Sequence, residues 1–293
     1  MRTVRAIIGL TIVTGIWAQQ PVPCEGPPGT VPGASADPSQ NWNVFYQATS
    51  IGDYHGRFDS PYSGAFSLRD TPERDVSLTT TLFLGLRLGE NTRIYVNPEV
   101  AGGRGFSGVD GIANAPNGEL PRVASAAPKP YLARAYISHD FGFGDARESS
   151  SSDENRLAGS RPMTRYSVTM GRFTVTDFFD NNRYSHDPRT QFMGWAVMYN
   201  GAWDYPADTR GYTWGWVHEF HARQWSVRYG SAAEPKVANG VRFDRRLLRD
   251  RGDMFEQDLR YANSYNRMMQ AIAERLEFDI ADARHKLNKL ACP

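Results

Sequence analysis

Between Val76 and Leu88 the chain reads VSLTTTLFLGLRL, and residue type alternates there with a period of two. Val76, Leu78, Leu82, Leu84, Leu86 and Leu88 share one parity, with Thr80 among them. Ser77, Thr79, Thr81, Gly85 and Arg87 share the other, interrupted only by Phe83. Successive side chains of a strand point to opposite faces, whereas the apolar residues of a helix recur every three or four positions. An alternation this long therefore specifies a strand. At thirteen residues it is also longer than the five or six usual in soluble sheets.

The rhythm recurs along the chain. RIYVNPEV sets Ile94, Val96 and Val100 opposite Arg93, Tyr95, Asn97 and Glu99. YLARAYISHDF sets Ala133, Ala135, Ile137 and Phe141 opposite Arg134, Tyr136, Ser138 and Asp140. RYSVTMG alternates likewise, GYTWGWVHEF sets Tyr212, Trp214, Trp216 and Phe220 against Thr213, Gly215 and Glu219, and QWSVRYG sets Trp225, Val227 and Tyr229 against Ser226 and Arg228. NWNVFYQATS and MFEQDLRY are weaker candidates. The expectation is an all-β chain of about eight antiparallel strands.

A soluble sandwich also buries one face and wets the other, so the connections have to discriminate. Gly89–Thr92 and His221–Arg223 are tight, whereas the links after Ser50, over Gly102–Pro130 and over Phe173–Arg210 are long. Long loops at one end and short turns at the other describe an outer-membrane barrel, and aromatics gathered near strand ends describe its interfacial girdles. One segment breaks the pattern: GDARESSSSDENRLAGSRP stands where a short turn belongs, and reads as a disordered bulge on the short-turn, periplasmic side.

The flanks are consistent with export. Arg2 and Arg5 precede the apolar run Ala6–Ile16, and Ala18 suits cleavage, so residues 1–18 read as a signal peptide. Residues 19–40 are Pro/Gly/Ser-rich and read as a disordered lead-in. In residues 262–293, Met268, Ile272 and Leu276 recur at helical spacing with Glu274 and Arg275 opposite, which predicts a short amphipathic helix. Lys plus Arg is 33 against 32 for Asp plus Glu, so no charge excess calls for nucleic acid. Cys24 and Cys292 are too few for a disulfide framework or a zinc set, and a bridge between them is left open.

The richest stretch runs from Phe178 to Trp216. His186 and Asp187 are adjacent, unlike the helical spacing of zinc motifs, and no second histidine follows until His218. Asp177, Asp180, Asp204 and Asp208 supply carboxylates for a glycosidase pair, but no spacing separates an acid from a nucleophile. A folded loop is the plainer reading: Asp187-Pro188 and Tyr205-Pro206 form turns, with Arg189 and Arg210 clamping Asp204 or Asp208. A sugar-facing constriction is the third, with Trp and Tyr rings stacking on a pyranose and Asp, Asn and Arg bonding its hydroxyls. The segment AGGRGFSG lacks the Lys-Ser/Thr ending of a phosphate loop, and the chain has no GxSxG elbow.

Four segments together carry a resemblance: NWNVFYQATSIGDYHGRFDSPYSG, LTTTLFLGLRLGENTRIYVNPEVAGGRGFSG, NGELPR with PYLARAYI, and DFFDNNRYSHDPRTQFMGWAVMYNGAWDYPADTRGYTWG. From about Asn41 to about Tyr261 the chain resembles carbohydrate-selective porins of Gram-negative outer membranes. The resemblance implies an antiparallel transmembrane β-barrel of about sixteen strands, passive diffusion of sugars and other small polar solutes through a charged and aromatic constriction, no cofactor and no catalysis. About eight strands are present here, so the chain reads as a C-terminally truncated relative. Face and composition nominate Arg93, Glu99 and Arg134 as pore-lining, with Asp180, Asn181, Asn182, His186, Asp187, Arg189, Trp203, Asp204, Asp208 and Arg210 from the long loop. Expected partners are outer-membrane lipid and small sugars, with homo-oligomerisation left open. A soluble periplasmic or surface glycan-binding β-sheet protein is the alternative, and a glycoside hydrolase comes third.

Overall fold

A computed structural model describes residues 12–15, 39–65, 67–108, 116–120, 127–180, 185–195, 197–199, 205–222, 225–237, 240–244 and 251–259. The described chain is all-β, in one antiparallel sheet whose spatial order follows the sequence. Its strands are β1 (Ile12–Gly15), β2 (Trp42–His55), β3 (Glu73–Arg87), β4 (Thr92–Gly103), β5 (Lys129–Ser150), β6 (Gly159–Phe173), β7 (Thr213–His221), β8 (Trp225–Ala233) and β9 (Arg251–Leu259). Strands β2 to β9 are those expected from the alternation. β1 is a four-residue addition along the edge of β2, its backbone pairing Ile12 with Gly52 and Gly15 with Thr49, and it lies within the stretch read as a signal peptide. The remainder of that stretch, Cys24, most of the lead-in, the tail with its expected helix and Cys292 lie outside the described residues. The sheet is not closed: β9 pairs with β8 alone among the described strands.

Which way the sheet faces is the decisive feature. The apolar parity is the outer one: Val76 is 57% exposed, and Leu78, Leu86, Ile137, Met170 and Trp214 are exposed with it. The polar parity is covered: Thr81 is 1% exposed, Asp140 is fully buried, and Ser77, Thr79, Arg93, Asn97 and Glu99 are buried beside them. Charged groups turned inward in this way must be paired. Asp140 accepts from Arg93, from Arg161 Nε and Nη2 at 2.9 Å each and from Ser167 Oγ at 2.7 Å, which ties β4, β5 and β6. Arg228 repeats the device across β7, β8 and β9, donating to Glu219 at 2.8 Å and Glu256 at 2.5 Å.

Two local departures from strict alternation matter. Asn97 pairs with Arg134 but Pro98 pairs with Leu132, so Ala133 is an extra, bulged residue. Pro98 has no N–H to give the ladder, and bulges gather where a ladder is so interrupted. Ala133 is therefore buried rather than outward with Ala135, Leu132 is exposed, and Tyr131 turns inside. Tyr212, expected on the outer face with Trp214, also lies inside. Asp208 Oδ1 accepts the N–H groups of Arg210 and Tyr212 at 2.9 and 3.2 Å, and Gly211 at φ 87° turns the chain before β7 begins.

The Ser-rich segment is the clearest correction. Gly144–Ser150 prolong β5 and Gly159–Pro162 open β6, and residues 151–158 between them are ordered, not a disordered bulge. They fold onto the inner face and stop it at the short-turn end. Asn43 Nδ2 donates to Ser152 Oγ at 3.1 Å and to the carbonyls of Asp153 and Arg156 at 3.3 and 2.9 Å. Asn97 Nδ2 reaches Asn155 Oδ1 at 2.7 Å, and Leu157 N donates to the Tyr95 hydroxyl at 3.2 Å. Polar strand residues that would otherwise be buried without partners thus hold a plug. Gly85 makes room for it, since a β-carbon there would sit 2.2 Å from Asn43 Oδ1.

At the opposite end, residues 174–180 turn inward over β7 and β8. Phe173, Val175, Phe179, Val217 and Ala232 form an apolar cluster there, with Phe178, Tyr205 and Met254 packed against it. Gly230 admits this approach, because its β-carbon would fall 2.8 Å from the Phe179 ring.

Asn43 makes the contacts that hold the plug, so Asn43→Ala is expected to release residues 151–158. Limited trypsinolysis then cuts after Arg156 several-fold faster than in the unaltered chain, and unfolding free energy falls by about 1–3 kcal/mol.

Candidate functional site

Between the plug and the inward loops lies a cavity of about 460 Å³. Its strand walls are Gln47 of β2, Thr79 and Phe83 of β3, Glu99 of β4, and Tyr131 and Arg134 of β5. Glu154 and Asn155 of the plug close one end. The loop from 174 to 212 supplies Asp177, His186, Asp187, Arg189, Trp195, Tyr199, Arg210 and Tyr212.

The loops are anchored before they can line anything. Asn117 is 2% exposed and donates to Ser77 Oγ at 3.0 Å and Asp53 Oδ2 at 3.2 Å, while Gly118 N reaches the Met193 carbonyl at 2.8 Å. Glu119, so presented, pairs with Arg189 at 2.9 Å, and Arg189 also donates to Gln47. Burial raises the Glu119 carboxyl above the ordinary carboxylate range against the pull of Arg189. Three separate segments are locked together by this one guanidinium.

A second lock holds the far wall. Arg134 grips Asp177 with two parallel bonds, Nε to Oδ2 at 2.7 Å and Nη2 to Oδ1 at 2.6 Å, the fork geometry that carboxylates favour. Asp177 Oδ2 also accepts Thr174 N at 3.3 Å. The Tyr212 ring lies near two guanidiniums, with Arg134 Cζ at 5.4 Å and Arg172 Cζ at 5.8 Å from its centroid, and burial raises its phenol. Arg172, not Arg189 or Arg210, clamps Asp208, at 2.6 Å. Glu99 accepts from Thr81 Oγ1 at 2.6 Å and from the Tyr131 hydroxyl. Arg210 stacks flat on that tyrosine, its Cζ 3.9 Å from the ring centroid.

Six of the nominated residues thus meet at the cavity: Glu99, Arg134, His186, Asp187, Arg189 and Arg210. Asp187 is turned toward its own loop, accepting from Arg189 N at 3.0 Å and Thr190 Oγ1 at 2.7 Å. Arg93 points inward but belongs to the Asp140 cluster. Asp208 is buried under Arg172, and Asp180, at φ 56°, marks a turn whose N–H reaches Glu256 Oε2 at 2.9 Å. Neither lines the cavity, because each is spent on holding the loop. Asn181, Asn182, Trp203 and Asp204 lie outside the described residues. Sequence reasoning missed Tyr131, hidden by the bulge at Ala133, and Glu119, whose NGEL setting gives no periodic signal. It also missed Asn155, because a Ser-rich run does not look like a plug.

Among the described residues no three of His, Cys, Asp and Glu converge as a metal site would require. Asp177 is engaged by Arg134 and Asp208 by Arg172.

Asp177→Asn removes the charge that Arg134 grips, and is expected to cost about 2–4 kcal/mol of unfolding free energy. The double variant Arg134→Met/Asp177→Leu costs less than the sum of the two single changes, as a double-mutant cycle of urea unfolding reads it. Neither the family models, nor the curated proteins, nor the solved structures contain a match to this chain.

Proposed function

We propose that the chain is an outer-membrane β-barrel protein of the sugar-porin type, which lets small polar solutes diffuse through a loop-constricted lumen. The observation that carries this reading is the inverted sheet. Its outer face presents Val76, Leu78, Leu86, Ile137 and Met170, while its inner face buries Arg93, Glu99, Asp140 and Arg165. Water favours the reverse, and a lipid surround favours this.

The outer aromatics add support. Toward the short-turn end a row of rings crosses four strands: Phe141 stacks on Tyr166 at 6.0 Å, Tyr166 on His218 at 5.9 Å, and His218 on Tyr229 at 6.4 Å. Phe143, Phe220 and Trp225 form a second row, with centroids 6.2 and 5.4 Å apart. Amphipathic rings in such a band suit a membrane–water interface. Selection in the lumen is passive: Glu99, Arg134 and the tyrosines offer weak contacts that a solute exchanges for its water.

The plug and the open sheet favour a second reading, a surface or periplasmic protein that holds a glycan in the same cavity without passing it. Refolding into liposomes separates the two. On the pore reading the chain inserts and makes vesicles swell in isotonic glucose. Leu84→Arg on the outer face then costs about 2–4 kcal/mol of folding free energy in lipid, and Thr79→Lys, facing the cavity, less than half as much. A chain that stays monodisperse without detergent, and responds equally to both substitutions, belongs to the second reading.

A further inference from the structure

We infer that the cavity recognises a monosaccharide carrying a carboxylate, an aldonate or uronate, and that Arg210 is the residue that reads the charge. The inference refines the sugar reading above and rests on it. On the cavity wall, Asp177 is taken by both arms of Arg134, and Glu119 is paired with Arg189. Glu99 is bonded by two hydroxyls, and Asp187 by its own loop. Four of the five carboxylates of the wall are therefore engaged, Glu154 of the plug being the fifth.

Among the described residues Arg210 is the lining arginine whose guanidinium meets no carboxylate. Its side chain lies against the Tyr131 ring at 3.9 Å, and its backbone N–H donates to Asp208 Oδ1 at 2.9 Å. Trp195 and His186 lie on the same wall. A guanidinium that meets no described carboxylate suits an acceptor-bearing solute. Contact with the Tyr131 ring holds the Arg210 guanidinium at the wall, and a guanidinium edge matches a carboxylate with two parallel bonds. Tyr199 and Tyr212 supply ring surface for the apolar side of the sugar, and 460 Å³ holds one such residue with water. The ion pair forms within a half-enclosed site, where hydrogen bonds to charged groups are worth more than those between neutral ones.

The experiment is titration calorimetry of the detergent-purified full chain with sodium D-gluconate and with D-glucose, in parallel with swelling of proteoliposomes in each solute. Gluconate is expected to bind about tenfold tighter than glucose. Arg210→Gln is expected to bring gluconate down to the glucose value, and Arg210→Lys to keep part of the preference. Equal binding of the two solutes, or a preference that survives Arg210→Gln, overturns the inference. Gluconate preference without swelling upholds the charge reading and removes the pore. Swelling in both solutes with no preference upholds the pore and removes the charge reading.

Discussion

A strand has only two faces, and this chain turns the polar one inward. Many of the carboxylates, guanidiniums and amides on that face are taken from water, Asp140, Arg93 and Asn97 among them, and an unpartnered one costs on the order of 1–3 kcal/mol, more when charged. The rest of the structure follows from meeting that demand. Asp140 is shared by Arg93, Arg161 and Ser167, and Arg228 bridges Glu219 and Glu256. These cross-strand ladders do for a polar interior what interdigitated leucines do for an ordinary core. They set register as well, because slipping one strand by a residue would move its whole charged set to the outer face.

The same demand draws the loops inward. The plug residues 151–158 give hydrogen-bond partners to Asn43 Nδ2, Asn97 Nδ2 and the Tyr95 hydroxyl. Asn117 does the same for Ser77 and Asp53 at the other end. The cavity is what these insertions leave between them. Its walls are stiff because Arg134 and Arg189 each join segments distant in sequence, and its charge pattern is set by which arginines those locks consume. Arg210 is left over by that arithmetic, and its availability is a consequence of the packing rather than an isolated feature.

Much of the fold is legible in the residue pattern alone. Period-two alternation locates β2 to β9, and the alternation of long and short connections places the loops at one end. What escapes is governed by contacts between residues far apart in the chain. The plug resembles a linker because its serines and acids are read one at a time; partners far off in sequence, Asn43 more than a hundred positions away among them, make them a folded element. Tyr131 and Tyr212 depart from the expected face because a bulge at Ala133 and a turn at Gly211 reset the parity by one residue. At the cavity, composition nominates Glu99, Arg134, Arg189 and Arg210, and all four lie on its wall. It gives no means to tell Arg93, which serves the ladder, from Arg210, which serves none.

The open edge weighs on the same balance. β9 offers its far side to no described strand, and in hydrocarbon each unpaired N–H or C=O costs several kcal/mol. A nine-residue edge therefore exposes a penalty on the order of tens of kcal/mol to lipid. The outer face carries a comparable penalty in water, where each large apolar side chain left exposed forgoes about 1.5–3 kcal/mol. Trp42, Val44, Tyr46, Val76, Met170 and Phe255 are only part of that set. An open sheet is thus at home in neither solvent. The two penalties differ in how they are relieved. Pairing β9 with another strand removes the first without touching the outer face, whereas no single pairing removes the second. Under the pore reading the apolar face calls for a lipid surround, and a strand hydrogen-bonded to β9 is as much a condition of function as the cavity itself.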